Sequence, residues 1–492
     1  MQKFDVVVIG SGLSGLVSAL ILAKHGHKVA VLEQNVQFGG NLQTFSREKC
    51  IFDTGVHYLG GLSEGENLYQ FFDYLGIMQD LKLQKMDEVF DKIIFSDEDS
   101  EFGIAQGFEN FVINLLDKFP EEKPAIERYY ADILNFTNQF PNYVPGRKGI
   151  IPVEILSINA RNYFENLTSN MELRSVLAGQ SFLYGGLDEE APFYIHALCV
   201  SSYLKSSWKI QNGGSQITKL LVRELKASGA QLFKRQKVTA FNFDNEKLIS
   251  VSTDSDNDFF AEKFISNIEL KKTIELAGNQ RFKKAFTNRL EKLKSGKSCF
   301  SVYLVLKPQT LRYFNHNFYH FENYESVFCG NEGFYMLSAT ESSKFPGFAE
   351  SLTILVYMNF SEVEAWEASQ NTAAKPSERP ENYQDFKARK SAEIIDLVCK
   401  KFPEIRDAVK SVYASSPLSY RDYIGTDSGA MYAYEHSSEN PLQTVFSQKT
   451  SVPNLYLTGQ SVNMHGILGV TIGAFSLCRE ILGYNFLNEE RQ

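Results

Sequence analysis

The sequence has no CxxC pair: its six cysteines, Cys50, Cys199, Cys299, Cys329, Cys399 and Cys478, are scattered. That spacing supports neither a zinc ribbon nor a dithiol redox centre. The chain opens without a basic, then apolar, leader, so the expected setting is the cytoplasm with reduced thiols. The sequons at Asn135, Asn166 and Asn359 then carry no meaning. No apolar run reaches the ~18 residues that a bilayer-spanning helix needs, which leaves peripheral membrane contact open. Basic charge is also short. Fifty Lys and Arg against 59 Asp and Glu leave a net charge of −9, which argues against a nucleic-acid groove. His316 and His320 stand at i, i+4, but in an aromatic, strand-like stretch without a third ligand nearby, so no metal is expected. Tryptophan is limited to two residues, whereas Phe and Tyr number 39 and 24. Such rings fill a core or line a pocket for a long apolar ligand. At 492 residues the chain has length for two or three domains.

The most informative stretch is the N-terminus. Phe4 to Ile9 reads as a short buried strand, and Gly10-Ser11-Gly12-Leu13-Ser14-Gly15 comes directly after it. Helical apolar spacing continues from Leu16 to His25, and Lys28 to Leu32 forms a second strand that Glu33 closes. In this βαβ unit Gly10 allows a tight turn, Gly12 lets backbone N–H groups approach a pyrophosphate, and Gly15 lets helix pack on strand. Glu33 suits a ribose hydroxyl and disfavours a 2′-phosphate. The expected ligand is a dinucleotide, FAD or NAD, with Leu13 and Ser14 at the same phosphate turn.

The residues beyond Glu33 narrow the choice. Gly39-Gly40 is followed by Thr44 and then by the run from Phe52 to Gly61, FDTGVHYLGG. With these motifs the sequence resembles the FAD-dependent phytoene desaturase and carotenoid isomerase superfamily, which also includes amine oxidases. Further along, the resemblance takes in the APFYIHAL segment from Ala191 and the turn Gly213-Gly214-Ser215. It extends to Pro453-Asn454-Leu455-Tyr456-Leu457-Thr458-Gly459-Gln460 and to Asn463-Met464-His465-Gly466-Ile467-Leu468-Gly469-Val470. Among its branches the retinol saturase type shares FDTGxHYxGG, APFxxHAL and PNLYLTGQ. Gln460 stands where many flavin folds have an acid, and Ala433 stands where glycine is expected.

The resemblance implies an α/β fold with a discontinuous Rossmann-like FAD domain, residues 1–75, 205–285 and 450–492. A mixed α+β substrate domain would take residues 76–204 and 286–449, with a helical, membrane-facing insert around 107–204. No second GxGxxG unit exists, so the redox partner is expected to be external, NAD(P)H or a quinone. The implied flavin contacts are Gly39, Gly40, Val238, Gly459, Gln460, Gly469 and Val470. Val238 is matched to the adenine, at the end of a strand expected over Gln231 to Val238. The last helix is expected from Thr471 to Leu482, ending at Gly483, with its positive end toward the flavin.

Other expectations concern organisation. Residues 62–103 read as strands and turns, and 107–170 as proline-interrupted helices with a mobile turn at Gly146 to Ile151. Trp366 to Tyr383, which includes Pro376 and Pro380, reads as a loop before an amphipathic helix from Phe386 to Phe402. The implied reaction is saturation, desaturation or isomerisation at a carbon–carbon double bond of a polyene or isoprenoid lipid. Candidate catalytic residues are His57, His465, Tyr423 and Arg421: proton relays in the histidines, a packing ring in the tyrosine, a polar head-group contact in the arginine. Two other readings stand beside this one. One is flavin amine oxidation. The other is a non-catalytic binding protein like the GDP-dissociation inhibitors, whose nucleotide site is degenerate where this one retains its glycines.

Overall fold

The structure is a computed structural model that describes residues 3–147, 151–329, 333–462, 464–484 and 486–488. Asn463 and part of the turn expected at 146–151 lie outside the described residues.

The nucleotide-binding unit forms as its sequence dictates. Lys3–Ile9 is strand β1, Leu13–Lys24 helix α1 and Val29–Leu32 strand β2. Helix α1 is buried from Leu13 to Ala23. Gly15 inside it costs about 1 kcal/mol of helix propensity. Each fully buried Leu or Ile contributes roughly 1.5–3 kcal/mol in return, so packing and not propensity makes this helix. Strands Gln231–Phe233 (β3), Val238–Asp244 (β4), Lys247–Thr253 (β5), Asp258–Ser266 (β6) and Leu455–Leu457 (β7) complete the sheet. Its order is β3-β2-β1-β6-β5-β4, and β7 pairs with β6. The pairs β3–β2, β2–β1, β1–β6 and β6–β7 are parallel, whereas β4, β5 and β6 form an antiparallel meander.

Phe193–Lys205 is helix α2, Pro417–Ile424 helix α3 and Gly466–Leu482 helix α4. Helix α4 covers α1, and the Cys478 thiol bonds Ser18 O across their seam at 3.6 Å.

A second, mixed sheet runs in the spatial order 409–415, 298–306, 349–358, 335–341, 317–321, 89–95 and 100–105. Strand Ser298–Leu306 is buried at every position. Alternate side chains serve opposite faces of a sheet. Phe300, Val302 and Leu304 meet the helix Glu381–Lys401, whereas Cys299 turns toward the aromatic cluster of the 107–204 insert. The described elements are thus mixed α/β, as the resemblance implies.

Three local expectations are corrected. A helix, Asn67–Leu75, lies within 62–103. Its apolar residues Leu68, Phe71, Phe72 and Leu75 follow helical spacing, and Gly76 ends it at φ +79°. The strand expected over 231–238 breaks after Phe233, because Arg235 adopts φ +55°. The last helix begins at Gly466, so Gly469 and Val470 lie in its first two turns, not ahead of it.

Candidate active site

The glycine loop is set by close approaches. A Cβ on Gly15 would stand 2.4 Å from Gly10 O, so only glycine lets α1 rest on the turn. Glu33, buried at the tip of β2, accepts from Ser11 N at 3.1 Å, from Ser11 Oγ at 2.5 Å and from Asn35 N at 2.8 Å. A carboxylate has about four acceptor positions, so the loop uses three and leaves one for a ribose hydroxyl. Gly39 N donates to Ser11 O at 3.1 Å, which lays the Gly39-Gly40 turn against the glycine loop. Gly39 has φ +117°, and a Cβ there would be 2.4 Å from Thr218 Oγ1.

The C-terminal segment closes the same site. Thr458 N donates to Ser266 O at 2.9 Å, extending β7 along β6. Asn267, the residue after β6, donates from Nδ2 to Gly10 O at 3.3 Å. A Cβ on Gly459 would meet its Oδ1 at 2.8 Å. Asn267 therefore joins the opening and closing loops. The sequence alone does not single it out; its place directly after a central parallel strand is the signal.

These pieces border one continuous cavity of about 570 Å³. Val238 and Asp254 border it, as do Gly10, Gly12, Leu13, Ser14, Glu33, Gly39 and Gly40. Gly459 and Gln460 line it too, with Gly469 and Val470 near the N-terminus of α4. Gly15 packs behind this wall and does not line it. A groove in which added Cβ atoms on Gly12 and Gly40 would stand 2.9 Å from Asn267 Nδ2 and 3.2 Å from Gly12 Cα fits the backbone approach that a dinucleotide requires. The part of the cavity lined by Tyr143, Phe182, Tyr194, Leu198, Tyr203 and Met336 borders the aromatic core of the insert and forms its apolar chamber.

His57 and His465 both border the cavity. Burial, with the Lys209 ammonium nearby, pushes His57 down to about 4. His465 precedes the first residue of α4, and its ring lies against Tyr432 at 4.5 Å between centroids, tilted by 35°. Burial, aided by His436, pushes it down to about 3. His436, not foreseen from the sequence, lies 5.7 Å from His465 and shares a 2.7 Å hydrogen bond with Thr444 Oγ1. Burial lowers it to about 4. All three rings are neutral near pH 7, and a neutral imidazole offers one donor and one acceptor.

Arg421 and Tyr423 also border the cavity, on α3, but their polar ends are engaged elsewhere. Arg421 donates to Asp422 Oδ1 at 2.7 Å, to Glu367 O at 2.6 Å and to Ser369 O at 2.5 Å. The Tyr423 hydroxyl accepts from Ala373 N at 2.9 Å. The sequence offered no sign that both turn toward the segment after Trp366.

Behind the chamber lies a polar cluster that the sequence did not announce. Tyr58, a chamber residue, donates to Asp91 Oδ2 at 2.7 Å and shares a 2.6 Å bond with Tyr319. Gln180 and Asn317 donate to the same carboxyl at 2.6 and 2.9 Å. Burial pushes Asp91 up to about 7 despite these donors. Lys209, equally buried, bonds Ala339 O at 3.0 Å and is lowered to about 8.

Comparison with known proteins agrees with this geometry. Residues 8–75 match the family model of an NAD(P)-binding Rossmann-like domain. The human all-trans-retinol 13,14-reductase is 27% identical over 537 residues, covering 99% of this chain and 87% of that protein. A prolycopene isomerase of an Oncidium hybrid cultivar is 25% identical, covering 94% of this chain and 80% of that protein. Putrescine oxidase bound to putrescine superposes with TM-score 0.66 at 15% identity, over 98% of this chain and 99% of that one, a likeness of fold.

Proposed function

The chain is a relative, over nearly all its length, of the all-trans-retinol 13,14-reductases and prolycopene isomerases of the FAD-dependent phytoene desaturase and carotenoid isomerase superfamily, and from that premise we propose an FAD-dependent oxidoreductase acting on carbon–carbon double bonds of a neutral polyene or isoprenoid lipid. One observation carries the choice of substrate. Every Asp, Glu, Lys and Arg that borders the cavity belongs to the elements around its nucleotide end: Glu33, Lys237, Asp254, Glu269, Lys272, Lys375, Arg421 and Asp422. The chamber walls offer rings, aliphatic groups, thiols and hydroxyls. An ammonium or carboxylate entering there would leave water without a partner of opposite charge, a cost of several kcal/mol or more. A hydrocarbon chain gains by the same transfer. This favours a polyene over an amine.

Bound flavin supplies two-electron redox chemistry at its ring. The residues assigned to hold it are Gly10, Gly12, Leu13, Ser14, Glu33, Gly39 and Gly40, with Val238 at the adenine and Gly459, Gln460, Gly469 and Val470 at the flavin end; Gly15, expected among them, serves instead to seat α1 on the turn. Segments 1–75, 205–285 and 450–492 thus form the cofactor half, and 76–204 with 286–449 the substrate half. His57 and His465 hold or pass a proton at an imidazole nitrogen beside the reacting carbons. An external NAD(P)H or quinone completes the electron transfer.

Among the described residues no helix is long and apolar enough to cross a membrane. An apolar substrate still has to be collected. We assign that to peripheral docking by the insert, where Ile113 and Val153 are 66% and 46% exposed. Flotation with liposomes tests it: protein that stays at the bottom of the gradient with every lipid composition sinks the docking.

The test of function is anaerobic reoxidation of the reduced holoprotein. Neutral polyenes such as retinoid alcohols or carotenes should reoxidise the flavin, and carboxylate analogues should not. Rapid reduction of the oxidised holoprotein by amines, with peroxide released once oxygen is admitted to reoxidise the flavin, would overturn the reading in favour of an amine oxidase.

A further inference from the structure

The segment from Glu367 to Pro380 reaches the cavity beside Lys237 and Asp254, next to Val238. Gln370, Thr372, Ala374 and Lys375 border the cavity there. A polar surface loop normally leaves its backbone to water, whereas this one is fastened on both sides. On one side Asp422 Oδ2 accepts from Asn371 N at 2.8 Å and from the guanidinium of Arg379. The two charged side chains are only 1% and 4% exposed. Arg421 binds the carbonyls of Glu367 and Ser369, and the Tyr423 hydroxyl holds Ala373 N. Asn35, two residues beyond Glu33, donates to Tyr423 O at 2.9 Å and ties this clasp to the end of β2. On the other side, Lys375 Nζ pairs with Asp254 Oδ2 at 2.8 Å in the turn between β5 and β6. The segment therefore bridges α3 to the cofactor sheet and roofs the groove between them.

We propose that residues 370–375 are a strap that holds the adenosine half of FAD in its groove, with Arg379, Asp422 and Arg421 as its clasp. The proposal rests on the FAD reading above. It explains why Arg421 and Tyr423 border the cavity while turning their polar ends away from it. Their task is to fix the strap, which makes them positioning residues for cofactor retention. The glycine loop grips the pyrophosphate and Val238 forms one wall for the adenine; the strap supplies the opposite wall. Release of FAD then requires the strap to open, breaking the Lys375–Asp254 pair and the Tyr423–Ala373 bond together.

The experiment compares wild-type holoprotein with Lys375→Ala, Tyr423→Phe and the double variant. FAD release after dilution is followed by the rise in flavin fluorescence, and dissociation constants are measured for FAD and for FMN, which lacks the adenosine half. The double variant should release FAD about tenfold faster and bind it about tenfold more weakly, a factor equal to about 1.4 kcal/mol. FMN affinity should not change. Lys375 is 68% exposed on the surface, so Lys375→Ala folds whatever becomes of the double variant, and alone it should speed FAD release two- to threefold. FAD release at the wild-type rate in these variants would overturn the strap. Equal weakening of FAD and FMN would also overturn it, because the effect would then lie in the whole site. A wild-type protein that neither carries nor takes up FAD would overturn the cofactor reading, and the strap with it, before any variant is compared.

Discussion

The hydroxyl of Ser14 at the start of α1 is hydrogen-bonded to the hydroxyl of Thr458 just beyond β7, 444 residues away in the chain. The contact is buried, and it joins the segment that opens the cofactor groove to the one that closes it. Thr458→Val keeps the shape and removes the bond, leaving the Ser14 hydroxyl unpaired. Stability should fall by about 1–3 kcal/mol, the cost of an orphaned buried hydroxyl. Thermal unfolding of the holoprotein checks this, and flavin lost on gel filtration should rise in parallel.

Gly12→Val places a side chain where the glycine loop has none to spare. Its Cβ would stand 2.9 Å from Asn267 Nδ2, inside the approach a pyrophosphate needs. The variant should fold with an unchanged far-ultraviolet circular dichroism spectrum yet carry no flavin absorbance. Full retention of flavin would mean that the pyrophosphate lies elsewhere.

Asp91 gives a pH prediction with a definite sign. Its carboxyl is raised from 3.8 to about 7 in the folded protein by burial, so folding favours its protonated form. That stabilisation is complete below about pH 4, declines as the unfolded chain ionises, and is gone above about pH 7. Asp91→Asn removes the titration. The stability of wild type minus variant, from urea unfolding, should fall between pH 4 and 7 by at most about 4 kcal/mol and then level off. Asp53, also raised to about 7, keeps its own slope in both proteins and cancels in the difference.

His465→Asn should retain FAD and lose turnover of a polyene by about 10²-fold, the scale of a lost general acid or base. Because burial holds His57, His436 and His465 at about 4, 4 and 3, none changes charge between pH 5 and 8. The wild-type profile of kcat/KM should therefore show no histidine limb near 6.5. Such a limb would mean that water reaches one of these rings during turnover.

The legible and illegible parts of this molecule divide by the range of their interactions. Residues 4 to 33 could be read because strand, turn, helix and acid act on one another within a single βαβ unit. Gly39, Gly40, Gly459 and Gln460 could be placed only through resemblance, since their shared cavity joins distant segments. Asp91 looked like an ordinary strand residue, and its partner Asn317 is 226 positions away. His436 was silent for the same reason: its neighbour at the cavity is His465, across a long loop. The early start of α4 was masked by Gly466 and Gly469, which read as a turn yet sit in a helix that packing on α1 sustains. Arg421 and Tyr423 were visible as chemically able side chains, but the direction in which they face depends on a loop some fifty residues earlier.

The late arrival of β7 has a consequence for the making of the protein. A ribosome delivers the acid of β2 at residue 33 and the strand that completes the groove only at residue 455. At about 5–20 residues per second the interval is roughly 20–85 s. Throughout that time α1 presents a bare apolar face, and from residue 266 onward β6 presents an open parallel edge, because their cover, α4 and β7, has not been synthesised. A premature stop anywhere before residue 455 should yield not a weakened flavoprotein but an insoluble one, colourless from the start.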